Sequence, residues 1–221
     1  MSYIDALYKK DEDKIYVVER DPKKGRVFVE YDARYVFYYE DARGKHRSMT
    51  GAPLQRVQCA THKDFIKEQR IRSNKTLYEQ DINPVFRCLE ENYLGKETPK
   101  LNTMFFDIEV DFDPERGYAS TDDPFMPVTA ISCYMSWTDQ LVTLAVPPKT
   151  INMQEAKMLT ERFPNTMLFD KEKDMLDAFL QLVEDADILS GWNSEGYDIP
   201  YTVGRIQKVL SSDDTRRLCF W

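Results

Sequence analysis

Asp107 and Glu109 stand two residues apart in an otherwise apolar run, Thr103–Val110 (TMFFDIEV). In a β-strand successive side chains point to opposite faces. These two carboxylates therefore project side by side, while Phe106, Ile108 and Val110 project from the other face into apolar packing. Adjacent carboxylates on a central strand repel each other and resist burial. A hard divalent cation, magnesium or manganese, resolves both problems because such ions take oxygen ligands. An edge strand whose polar face meets water is the alternative, and the spacing of the two acids leaves both open.

A second cluster, Ser190–Tyr201 (SGWNSEGYDIPY), follows a short apolar stretch and places Asp198 at the start of a helical pattern. Aspartate is a favoured helix N-cap, which accounts for Asp198 alone. It accounts neither for Asn193 and Tyr197 nor for the acids upstream. Phe112 and Tyr118 lie in the loop after Glu109. Their rings either stack on an unpaired base or anchor the loop to the core. The cysteines (Cys59, Cys88, Cys133, Cys219) form no CxxC pair, and His46 and His62 are the only histidines, which excludes the usual Cys/His zinc site. Scattered thiols of this kind are expected buried and free, in a reducing compartment.

The elements that must position these residues differ between the two halves. In the first, Lys14–Glu19, Arg26–Tyr31 and Tyr35–Tyr39 are expected strands. Pro22–Gly25 and Asp41–Gly44 are expected turns. A further strand near Arg56–Ala60 and a helix near His62–Ile71 follow; Ser73–Lys100 reads as polar and irregular, with a linker at Gly95–Pro99. In the second half Thr103–Val110, Val128–Trp137 and Gln140–Val146 are expected strands, the last two joined through Thr138-Asp139. Helices near Asn152–Arg162, Glu172–Ala186 and Asp198–Leu210 alternate with strands at Thr166–Phe169 and Ile188–Leu189. Met175, Leu176, Phe179, Leu180 and Val183 mark one inner helical face; Ile199, Val203, Ile206, Val209 and Leu210 mark another. The order predicts a mixed sheet with helices on both faces.

Charge divides the 221 residues in the same way. Residues 1–100 hold 20 Lys/Arg against 17 Asp/Glu, net +3, and residues 101–221 hold 10 against 21, net −11. With 42% hydrophobic and 31% charged residues the chain has a globular composition, which argues against disorder. No window approaches the roughly 20 apolar residues of a membrane span, and Met1–Asp13 lacks the apolar core of a secretory signal. Lys23, Lys24, Arg26, Arg43, Lys45 and Arg47 gather around the two expected turns, as a nucleic-acid contact or as a solvated face.

Phe105–Val110 (FFDIEV) resembles the first exonuclease motif of family B DNA polymerases, and Asn193–Asp198 (NSEGYD) resembles the second. The order of elements between them also matches, and the stretch GWNSEGYDIPYTVGRI is most similar to the replicative polymerases of T-even-type bacteriophages. The resemblance implies an N-terminal domain over 1–100, mostly β, and part of a 3′→5′ exonuclease domain of ribonuclease H-like α/β fold over 101–221. It implies proofreading by two-metal phosphodiester hydrolysis, with Asp107, Glu109 and Asp198 as metal ligands and catalytic carboxylates. Asn193 and Tyr197 would support the site or touch the strand, and Phe112 and Tyr118 would meet the terminal base. The implied cofactor is Mg2+ or Mn2+. The implied partners are a single-stranded DNA 3′ end, primer-template, the remaining polymerase polypeptide, a sliding clamp and RNA, in the cytoplasm of an infected bacterial cell. A third motif, Tyr three residues before a last metal-binding Asp, does not occur between Asp198 and Trp221. The expectations that follow are weak activity of this polypeptide alone and uncovered apolar surface near Val209, Leu210, Leu218, Phe220 and Trp221. A nucleic-acid-binding module and one half of a split polymerase are the competing expectations.

Overall fold

The computed structural model describes residues 2–21 and 23–221, in two compact units, 1–99 and 100–221. The first unit holds two antiparallel sheets. One is β1 (Ser2–Lys9), β2 (Lys14–Asp21) and β3 (Gly25–Asp32), in that order. The other consists of β4 (Tyr35–Glu40), β5 (His46–Arg47), β6 (Pro53–Cys59) and β7 (Leu77–Tyr78), arranged β5-β6-β4-β7. Two helices complete the unit, α1 (His62–Ile71), capped by Thr61, and α2 (Pro84–Tyr93), capped by Asn83. Ile15, Val17, Tyr35, Phe37, Phe65, Cys88 and Tyr93 form its core.

β1, α2 and the two-residue strands β5 and β7 depart from expectation. β1 reads poorly as a strand because its register shifts between Tyr3 and Asp5, and such a bulge breaks the two-residue alternation. Helix α2 lies within a segment read as irregular. Its signals are an Asn cap, Pro at the first position, and Val85, Cys88, Leu89 and Tyr93 facing the core amid polar neighbours. The expected turn at Pro22–Gly25 falls partly on Pro22, which lies outside the described residues. Around it the Asp21 carboxylate accepts from the backbone N–H groups of Lys23 and Lys24, and Gly25 takes φ +75°.

In the second unit β8 (Thr103–Val110), β9 (Val128–Met135), β10 (Gln140–Ala145), β11 (Thr166–Leu168) and β12 (Ile188–Ser190) form one sheet in the order β11-β10-β9-β8-β12. The three central strands are antiparallel; β11 and β12 add in parallel at the two ends. This is the mixed α/β sheet expected, consistent with a ribonuclease H-like fold. The helices are α3 (Met153–Thr160), α4 (Glu172–Val183) and α5 (Asp198–Val209). Met104, Phe106 and Ile108 pack with Met175, Leu176, Phe179 and Leu180 of α4 and with Tyr201 and Ile206 of α5; the Phe106 and Phe179 rings lie 5.4 Å apart.

The β9–β10 turn is four residues rather than two. At its start Ser136 bonds β8, its N–H donating to the Thr103 carbonyl and its hydroxyl accepting from the Thr103 N–H. The expected apolar patch at the end of the chain is closed in part, with Trp221 still 38% exposed. Val209, Leu210 and Leu218 pack on the core, and Arg217 of the 3-10 turn Asp214–Leu218 pairs with Asp177 and Glu184 of the α4 segment. Among the described residues no helix is long and apolar enough to cross a membrane.

A buried carboxylate joins α2 to the first sheet: Glu19, 4% exposed, accepts from the Tyr93 hydroxyl at 2.6 Å. Tyr93→Phe strips Glu19 of that donor. The substitution is expected to cost roughly 1–3 kcal/mol, read as a lower urea midpoint, with the chain still folded.

Candidate active site

β8 presents the alternation expected of it. Phe106 and Ile108 are buried, and Asp107 and Glu109 are exposed on the opposite face. The strand is not at an edge, since β9 and β12 flank it. Yet β12 pairs only with Thr103–Phe105, so the ladder on that side stops before the acids begin. The segment from β12 to α5 takes over there. Gly191 passes against the Phe106 carbonyl so closely that a Cβ would overlap it. Two residues further along β8, the Ile108 N–H donates to the Asp198 carboxylate at 3.3 Å.

Asp198 is therefore not a helix cap. It is the first residue of α5, the cap position belongs to Tyr197, and no side chain caps the helix. Its carboxylate turns to β8, and the residue is 4% exposed. Burial raises its pKa above the usual carboxylate range; the Ile108 N–H opposes that shift, and the charge of Asp107 adds to it. The structure thus brings Asp198 and Asp107 within electrostatic reach of each other. Glu109 shares the Asp107 face. Among the described residues no group of three His, Cys, Asp or Glu side chains is close enough to enclose a metal ion. The donor chemistry, carboxylate oxygens, still suits a hard divalent cation.

Asn193 is exposed, in the left-handed region at φ +54°, and its carbonyl accepts from the Gly196 and Tyr197 N–H groups. Tyr197 is half-buried, stacks on Tyr201 at 5.3 Å and donates to the Ala119 carbonyl at 3.5 Å. Its ring ties α5 to the β8–β9 loop. In that loop Phe112 and Tyr118 pack on each other at 4.8 Å, flanking a small hairpin closed between Asp113 and Gly117. Tyr118 is 84% exposed and Phe112 46%, so the pair stands in solvent instead of anchoring the loop. Lys23, Lys24, Arg26, Arg43, Lys45 and Arg47 all lie in the first unit, on two different sheets and their turns.

Residues 52–219 match the family model for the exonuclease domain of family B DNA polymerases. The chain belongs to this family. The family B relatives include the DNA-directed DNA polymerase of Escherichia phage RB69, 27% identical over 79% of the chain and 22% of the phage protein. The DNA-directed DNA polymerase of Enterobacteria phage T4 is 40% identical over 23% of the chain and 6% of that protein. The chain thus spans about a fifth of the RB69 polymerase's length.

Within the second unit two residues carry no clear sequence signal. Trp192, between Gly191 and Asn193, is 92% exposed at the head of the loop that delivers Asp198. An indole beside a glycine in a strand-to-helix loop is the one hint of it. Arg205 is buried on the inner face of α5, where only apolar residues are expected. No periodicity distinguishes a buried arginine from a solvated one.

An acid whose pKa is raised on folding binds its proton more tightly in the native state. The native state then holds more protons than the unfolded chain between the two pKa values, so stability falls as pH rises through that window. Asp198→Asn keeps an acceptor for the Ile108 N–H and removes the charge. It is expected to raise the melting temperature at pH 7 by roughly 2–4 °C, with the gain vanishing in acid below the ordinary aspartate range. Thermal melts of both proteins from pH 3 to 8 measure this.

Proposed function

We propose that the second unit is a 3′→5′ exonuclease site acting on the single-stranded 3′ end of DNA, the proofreading part of a family B polymerase. The observation that carries this reading is the buried Asp198 carboxylate delivered to the edge of β8 beside Asp107. Asp107, Glu109 and Asp198 would hold Mg2+ or Mn2+. Bound there, the ions supply an activated water and charge stabilisation for the leaving 3′ oxygen.

The side chains divide the remaining work. Asp107 and Glu109 are exposed and open to a phosphodiester. Asp198 is fixed from below by the Ile108 N–H, so a cation need not order it. The second half of the chain carries net −11, so it does not collect a strand by phosphate attraction. Its exposed rings offer the other means: Phe112 and Tyr118 as a platform for the terminal base, and Trp192 beside Asn193 on the loop leading to Asp198. Tyr197 braces the site, since its hydroxyl is directed to Ala119 and its ring to Tyr201.

Mn2+ binding to the purified protein, followed by the resonance of the free ion, tests this directly. Asp107→Ala and Asp198→Ala are each expected to weaken binding by about tenfold or more, no less than removing a ligand's supporting hydrogen bond. Shortening of a 5′-labelled single strand from its 3′ end is expected to be abolished in Asp107→Ala. Unchanged Mn2+ affinity in both alanine variants would sink the proposal.

A further inference from the structure

Arg205 has no counterpart in the chemistry described above, yet it is 8% exposed in the middle of α5. Its guanidinium pairs with Glu172, the first residue of α4, and donates to the Pro124 carbonyl at 2.9 Å and the Phe125 carbonyl at 3.3 Å. Glu172 in turn accepts from the Val128 N–H at 2.8 Å, where β9 begins. One turn earlier on α5 the Tyr201 hydroxyl donates to the Met126 carbonyl at 2.7 Å. Between them Gly204 leaves room for Pro124: a Cβ there would lie 2.5 Å from the proline ring. Three consecutive residues of the β8–β9 loop, Pro124 to Met126, are thus fastened to the helix that begins with Asp198.

The fastening reaches the exposed aromatic pair. Arg116, in the hairpin between Phe112 and Tyr118, lies with its guanidinium 3.6 Å over the Phe125 ring and bonds Asp123 at 3.1 Å. Lys208 of α5 holds the same Asp123 at 3.0 Å. The Asp111 N–H closes the loop on the Pro127 carbonyl at 3.0 Å. A buried ion pair is a poor source of net stability compared with apolar packing, but its directed bonds fix geometry. Without them the arm 123–126 would keep the Tyr201 and Lys208 bonds at Met126 and Asp123, but Pro124 and Phe125 between would lose their directed partners.

We infer that Arg205, with Glu172 and the gap at Gly204, is a positioning residue: it sets the Phe112–Tyr118 platform relative to the Asp107–Asp198 carboxylates. The inference rests on the site reading given above. It assigns to α5 two alignments at once, the carboxylate at its start and the base platform through its middle.

Two variants separate positioning from folding. Glu172→Met with Arg205→Met removes both charges together, so neither is left buried alone, and releases the Val128 N–H and the Pro124 and Phe125 carbonyls. Gly204→Ala keeps the pair and pushes Pro124 outward. Each is measured for Mn2+ affinity and for the fluorescence of 2-aminopurine at the 3′ end of a single-stranded oligonucleotide, which is quenched when the base stacks. Both are expected to keep Mn2+ affinity within about twofold, while oligonucleotide affinity falls about tenfold and the quench is lost, the scale of one stacked base. Retention of both signals in the variants, or their loss together, would overturn the assignment. A fault in the site reading itself shows elsewhere: the protein without substitutions would give no quench, or Phe112→Ala with Tyr118→Ala would not abolish it.

Discussion

The hydrogen bond from the Ile108 N–H to the Asp198 carboxylate ties the candidate site to the sheet of the second unit. It exists because β12 is too short. That strand satisfies β8 only as far as Phe105, and a buried sheet edge cannot leave its N–H groups without partners. Past that point the chain substitutes a loop and a side chain for a strand: Gly191 against the Phe106 carbonyl, then Asp198 against Ile108. The substitution places a carboxylate at a sheet position where a continued strand would have offered only backbone. It also places it next to Asp107, which faces solvent on the same strand.

This arrangement sets stability against function at one residue. Burial and the neighbouring charge both favour the protonated form of Asp198, so the native state is under electrostatic stress at neutral pH. Hydrophobic contact offsets that stress: Tyr201 and Ile206, one and two turns further along α5, are fully buried against the sheet core. The helix is held by its apolar side and strained at its start. A buried acid beside a second carboxylate is the kind of group that clusters at functional sites, and structural networks produce it too. The exposed pair Asp107 and Glu109 extends the same logic outward, since neither acid is neutralised by a basic side chain in an ion pair among the described residues.

Much of this arrangement is legible in the residues themselves. The period-two alternation of TMFFDIEV determines which residues face the core, and the five apolar positions of α4 are all buried as their spacing requires. What the sequence hides is of two kinds. Elements such as β1 and α2 are hidden by a bulge and by polar neighbours, although the Asn83-Pro84 start of α2 is an open signal. The role of Asp198 is hidden more deeply. An aspartate at a helix start is the ordinary cap, and only the length of β12, fixed in three dimensions, decides that its side chain turns to the sheet instead. Arg205 is the same case inverted, a charge on an apolar face whose partners lie 33 residues away at Glu172 and about 80 residues away in the loop.

The β8–β9 loop shows why such long-range polar bonds matter more here than their modest energy suggests. Residues 111–127 contain no strand or helix, and loops of that length are ordinarily mobile. This one is bound at its base by Asp111 and Pro127, at its arm by Arg205, Tyr201 and Lys208, and across its hairpin by Arg116. Most of its anchors sit on α5. A displacement of that helix would therefore move the Asp198 carboxylate and the exposed aromatic pair together, not one against the other. Rigid coupling of that sort is what a site needs if it must hold a strand by its terminal base and present the adjoining phosphate to fixed acids.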